Sequence, residues 1–140
     1  MGDTYCGKTS LLFNYFNMGS DGGTFYTYVY NDYEKTINGN NGEKIKLLLY
    51  DTNGVEKFRS IIYKKKSDGY VLVFDLTSKR SFENIKILLR ELKDINNCPI
   101  VLFCNICDLI NERTVFKEEV EEYANKNYLP YFETSAKINN

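Results

Sequence analysis

Apolar runs alternate with amphipathic segments along the chain, and neither an internal repeat nor a break in composition interrupts them. Such alternation predicts an α/β domain. Leu11, Leu12, Tyr15 and Phe16 share one helical face, predicting a helix over Gly7–Phe16 and then a polar, glycine-rich loop from Asn17 to Thr24. Tyr30–Ile37 and Ile45–Tyr50 read as strands, and Asn38-Gly39-Asn40-Asn41-Gly42 between them has the turn chemistry of an antiparallel hairpin. Gly69–Phe74 and Pro99–Cys104 are near-continuous apolar runs of the kind buried on both faces of a parallel sheet. Ile85, Leu88, Leu89 and Leu92 predict a helix opening near Ser81, its expected N-cap, and reaching about Ile95. A second helix is expected over Lys117–Asn127, with Val120, Tyr123 and Ala124 inward and Glu118, Glu119, Glu121 and Glu122 in solvent. Pro130–Thr134 reads as the last strand, which completes a mostly parallel sheet with helices on both faces and one antiparallel edge hairpin.

Composition narrows the chemistry. The 140 residues suit one domain, and 18 basic against 19 acidic residues leave no broad positive field of the kind nucleic-acid binders carry. The chain has no histidine, which removes imidazole acid–base catalysis and His-ligated metals. Four cysteines (Cys6, Cys98, Cys104, Cys107) without a leader pattern read as reduced thiols of a cytoplasmic protein. No apolar run approaches the ~18 residues that span a bilayer. The Lys64-Lys65-Lys66 run reads as a solvated helix face.

Three sequence segments sit where strands end, and a fourth opens the first helix. Gly2-Asp3-Thr4-Tyr5-Cys6-Gly7-Lys8-Thr9 matches G-x-x-x-x-G-K-S/T. In that motif backbone N–H groups cradle polyphosphate oxygens, the helix N-terminus faces them, Lys8 reaches the outer phosphates and the Thr9 hydroxyl ligates Mg²⁺. Taken alone the octapeptide also fits a glycine turn before an ordinary helix. Asp51-Thr52-Asn53-Gly54 follows a strand, where an α/β sheet places ligand-binding groups; Asp51 could hold Mg²⁺ and Gly54 could offer its N–H to a terminal phosphate. Asn105-Ile106-Cys107-Asp108 follows another strand, and a carboxylate there can accept hydrogen bonds from guanine N1–H and its 2-amino group. Thr134-Ser135-Ala136-Lys137 follows the last strand, with backbone N–H groups placed to reach the guanine oxygen.

In this order GDTYCGKT, DTNG, NICD and ETSAK resemble the motifs of Ras-superfamily small GTPases. The intervening KIKLLLYDT, KFRSI, GYVLVFDLT, SFENI and YLPYFETSAK are similar to the Rab-like members. The resemblance covers essentially the whole chain and implies a P-loop NTPase-like fold, GTP/GDP and Mg²⁺ as ligands, and a switch in vesicle trafficking or signalling. Carried over residue by residue, it implies nucleotide contacts from Thr4, Tyr5, Cys6, Gly7, Lys8, Thr9, Ser10, Thr27, Asp51, Gly54, Asn105, Asp108, Ser135, Ala136 and Lys137. Mg²⁺ would fall to Thr9, Thr27 and Asp51, and phosphate charge to Lys8. Thr27 has the family's separation from Lys8, whereas counting back from the following strand gives Tyr28; Phe25 and Tyr26 are candidates for the aromatic edging the base. Effectors and regulators are expected on Thr24–Asp32 and Gly54–Lys66, with Tyr26, Tyr28, Tyr30 and Phe58 as aromatic anchors.

Several positions depart from the family pattern. Val55 stands where relatives carry the glutamine that orients the attacking water, Asn53 replaces the usual alanine, and Thr4 stands where many members have a second glycine. Slow hydrolysis is the expectation. Ile106 replaces the lysine that lies along the base, while Asp108 keeps the specificity element, so GTP is expected over ATP. A non-hydrolysing pseudo-GTPase that uses the fold as an interaction module is the alternative; a redox or zinc role for Cys104-Asn105-Ile106-Cys107, or another P-loop NTPase such as a kinase, fits less well. The chain ends without the C-terminal cysteines through which relatives are lipidated, so membrane association is expected only of a longer form. Relatives also carry a strand before the P-loop and a helix after the last motif, so an incomplete single G domain over 1–140 is expected.

Overall fold

The computed structural model describes residues 1–16, 30–55, 67–95 and 97–138. Strands β1 (Tyr30–Asn38) and β2 (Lys44–Thr52) pair antiparallel, from Tyr30 opposite Thr52 to Asn38 opposite Lys44. The hairpin expectation holds. Gly42 turns the chain at φ 77°, a conformation in which a Cβ is strained, and the Gly39 N–H donates to the Glu43 carbonyl at 2.8 Å. Pairing with Tyr30 and Asn31 carries β2 on through Asp51 and Thr52, two residues past the predicted end.

The second sheet is parallel, with β3 (Tyr70–Asp75), β4 (Ile100–Asn105) and β5 (Tyr131–Glu133) in the order β3-β4-β5. Among the described residues the two sheets share no ladder. On the other edge of β3 the Val73 N–H donates to the Met1 carbonyl at 2.7 Å, and the Met1 amine donates to the Val71 carbonyl.

Helix α1 spans Lys8–Tyr15, α2 Lys79–Ile95 and α3 Lys117–Asn127. Helix α2 begins two residues before the predicted cap. Ser78 fills that role, its Oγ accepting the Ser81 N–H at 3.3 Å, because the chain leaves β3 early enough for Ser78 to precede the first turn. Ser81 is buried instead against the exit of β3, accepting the Asp75 N–H at 3.0 Å and donating to the Ser78 carbonyl at 2.8 Å.

The core lies between the parallel sheet and α2 and α3. Leu72 and Phe74 of β3 and Leu102 of β4 meet Phe82, Ile85, Leu89 and Leu92 of α2 and Val120 of α3, all essentially solvent-free. Each such side chain stabilises the fold by about 1.5–3 kcal/mol. The Phe74 and Phe82 rings are 4.8 Å apart, and Tyr123 stands edge-on to Phe82 at 5.4 Å. A Lys79–Glu119 ion pair joins α2 to α3 on the surface. Helix α1 has no fully buried residue; it is held to β1 by Phe13 and Phe16 against Tyr33 and by Lys35, whose ammonium lies 3.8 Å over the Tyr15 ring.

Candidate nucleotide site

The site forms where the strands end. Gly2-Asp3-Thr4-Tyr5-Cys6-Gly7 wraps from the β3 edge into α1, and three of its residues leave the ordinary backbone regions: Gly2 at φ 150°, Tyr5 at φ 66° and Gly7 at φ 83°. At Gly7 a Cβ would sit 2.2 Å from Asn105 Nδ2, so the loop can close only on glycine. Tyr5 pays the left-handed strain with a side chain, 69% exposed at the mouth of the loop. Lys8 folds back over the loop, its Nζ donating to the Asp3 carbonyl at 2.6 Å. Cys6 is buried, with its thiol donating to the Val73 carbonyl at 3.2 Å and its ionisation pushed up by burial, so it is a packing residue.

Loop and strand ends are tied in sequence. Thr9 Oγ1 donates to Asp51 Oδ2 at 2.6 Å, joining α1 to the end of β2, and Asp51 is 1% exposed. Gly54 packs on the loop itself: a Cβ there would lie 2.2 Å from the Thr4 nitrogen. Asn105, at the end of β4, donates Nδ2 to the Cys6 carbonyl at 2.9 Å and accepts at Oδ1 from Thr134 Oγ1 at 3.3 Å. Ser135 donates from Oγ to Asp108 Oδ1 at 2.6 Å, and the Lys137 N–H donates to Ser135 Oγ at 3.2 Å. Asn14 of α1 donates Nδ2 to the Ala136 carbonyl at 2.9 Å, which returns the circuit to the helix that Lys8 begins. All four sequence motifs are thereby brought to one end of the molecule.

Val55 follows Gly54 with its N–H donating to Asn53 Oδ1 at 2.8 Å, and it lines a crevice of about 570 Å³ with Asp3, Thr4, Arg80 and Asn84. Across that crevice Asn84 of α2 donates to Asp3 Oδ2 at 2.6 Å. Ser10 is half-buried in the first turn of α1. Thr27, the alternative Tyr28, the base-edge candidates Phe25 and Tyr26, the candidate anchor Phe58, and Lys64-Lys65-Lys66 lie outside the described residues. The paired oxygens of Thr9 and Asp51 are hard donors of the type a divalent cation such as Mg²⁺ takes, so the residues present fit that ion. Cys104 ends in the core with its thiol pushed up to about 12, chiefly by burial, far from the thiolate that redox chemistry needs.

A family model for the Ras family matches residues 1–140. The chain belongs to the Ras family. Among curated Ras-related proteins it is similar to Rab-26 of Rattus norvegicus, 36% identical over 141 residues that cover 98% of this chain and 55% of the relative. It is also 36% identical to Rab-10 of Diplobatis ommata, covering 99% of this chain and 71% of the relative, and 38% identical to Rab-27A of Rattus norvegicus, covering 97% and 68%. The chain thus spans between about half and seven-tenths of the length of these relatives. It is a Rab-like member of the Ras superfamily, and the α/β fold with a parallel sheet and an antiparallel hairpin agrees with the sequence expectation. No helix among the described residues is long and apolar enough to cross a membrane.

Sequence reasoning did not find Asn14 or Asn84. Asn14 and Asn84 act through contacts 122 and 81 positions away in sequence, which no local spacing encodes.

Proposed function

We propose that the chain is a guanine-nucleotide switch of the Rab type, acting in vesicle trafficking or signalling through a single G domain. The observation that carries the reading is the convergence of the phosphate loop with Asp51 through Thr9 and with Thr134 through Asn105, next to the Ser135–Asp108 bond. Lys8 and the loop amides offset polyphosphate charge, while Thr9 and Asp51 would hold Mg²⁺ together with Thr27. When bound, that ion would offset negative charge on the polyphosphate. Asp108 accepts from guanine N1–H and the 2-amino group, a pairing adenine lacks, with Ser135 fixing its carboxylate and Ala136 and Lys137 lying beside the base. Effectors and regulators read Thr24–Asp32 and Gly54–Lys66.

Val55 has no group to hold a water, so intrinsic hydrolysis is slow and water must be positioned from elsewhere or by an activating partner. The expected outcome in competition binding is displacement of labelled GDP by GTP and not by ATP, with single-turnover hydrolysis well below that of glutamine-bearing relatives. Equal displacement by ATP would sink the guanine reading, and a relative-like rate would sink the slow-hydrolysis reading. Val55 and Ile106 together favour a second reading, a pseudo-GTPase scaffold. A protein of that kind would show no hydrolysis and no difference in partner affinity between GDP and a GTP analogue.

A further inference from the structure

We infer that Arg113 and Asn14 are positioning residues for the guanine-recognising loop, each holding it from outside the base site. The inference rests on the guanine-nucleotide reading above. Strand β5 is a three-residue edge strand, half-buried at its ends and exposed at Phe132, yet it delivers Thr134-Ser135-Ala136-Lys137 directly to the site. An element with so little burial fixes its exit poorly by itself. Arg113 supplies the constraint.

Its Nη1 and Nη2 donate to Glu133 Oε2 and Oε1 at 3.0 and 2.6 Å, and its Nε donates to the Val115 carbonyl at 2.8 Å. Such a forked pair sets orientation as well as distance. The two side chains are 20% and 29% exposed, so water screens the pair only in part. The base of the fork is itself anchored, since Val115 is fully buried and the Thr114 and Val115 N–H groups donate to the Leu76 carbonyl at 2.9 and 3.1 Å. Arg113 therefore joins the segment that leaves Asp108 to the residue just before Thr134. The Cys107 N–H, donating to the Thr134 carbonyl at 3.1 Å, and the Ser135–Asp108 bond then close a small ring.

On the other side Asn14, in the second half of α1, pins the Ala136 carbonyl at 2.9 Å. That bond ties the base loop to the helix behind the phosphate loop. The two residues thus serve different edges of the base. Arg113 governs the Asp108–Ser135 pair at N1 and the 2-amino group, and Asn14 governs the Ala136 side at O6.

The test measures dissociation constants of the full chain for GDP, for inosine diphosphate, which lacks the 2-amino group, and for 6-thioguanosine diphosphate, which keeps N1–H and the 2-amino group but carries sulfur, a weaker acceptor, in place of O6. Arg113→Ala should lower the GDP-over-inosine preference about tenfold, and Asn14→Ala the GDP-over-thioguanosine preference about threefold. The charge swap Arg113→Glu with Glu133→Arg should recover most of the first loss. If Arg113→Ala does not fold, Arg113→Lys keeps the charge and loses the fork, and the same ratio is read on it. A role confined to stability would lower the melting temperature and leave both ratios at their parental values; that result overturns the inference while the parent still binds GDP. A parent chain that binds none of the three nucleotides overturns the nucleotide reading and the inference together.

Discussion

The base end and the phosphate end of the site are built differently. At the base end Asn105, Thr134 and Ser135 are buried, and Asn105, Asp108, Thr134 and Ser135 bond one another and the neighbouring backbone. At the phosphate end Lys8, Thr9 and Asp51 carry charge and oxygen donors, but the next position along the Asp51 motif toward the reacting centre is the apolar Val55. On the proposed reading, recognition and turnover fall to separate residues, and a chain can keep one while weakening the other. Asn105 is where the two ends meet, with one side-chain atom on each.

Three substitutions probe that division, from the largest effect to the smallest. Lys8→Ala strips the phosphate end of its ammonium and should weaken GDP and GTP alike by about a hundredfold, with the guanine-over-adenine preference of the residual binding intact. Fluorescent-nucleotide titration reads both quantities, and a lost preference would mean that the ends are not separable. Asn105→Ala removes the link: the Cys6 carbonyl loses its buried partner, and unfolding in urea should show a loss of about 2 kcal/mol. Nucleotide selectivity and phosphate affinity should fall together in that variant, whereas a fall in one alone would place the junction elsewhere. Val55→Gln restores a water-holding amide and should raise single-turnover hydrolysis about tenfold while leaving GDP affinity within about twofold. An unchanged rate would mean that position 55 does not limit turnover.

Much of this was legible locally. Helical spacing in Ile85, Leu88, Leu89 and Leu92 marked the buried face of α2, and the Asn-Gly-rich turn marked the β1–β2 hairpin. The residues of the four motifs carried their own chemistry, because phosphate cradling and guanine pairing each need particular groups at short spacing. The cap of α2 was misplaced by three residues, since Ser78 and Ser81 have equal cap chemistry and only the path out of β3 separates them. Tyr5 shows the same limit. Its residue type does not announce a left-handed backbone, and the closure of the loop imposes it.

What the sequence determined by itself is the alternation of elements, the amphipathic faces and the inventory of candidate phosphate- and base-binding groups, all properties of residues within a few positions of one another. Tertiary structure decided which groups meet. Arg113 reaches Glu133, Asn14 reaches Ala136 and Asn105 reaches Cys6 because parallel strands deliver distant segments to the same sheet end, and a hydrogen bond is made only at the distance that this delivery sets.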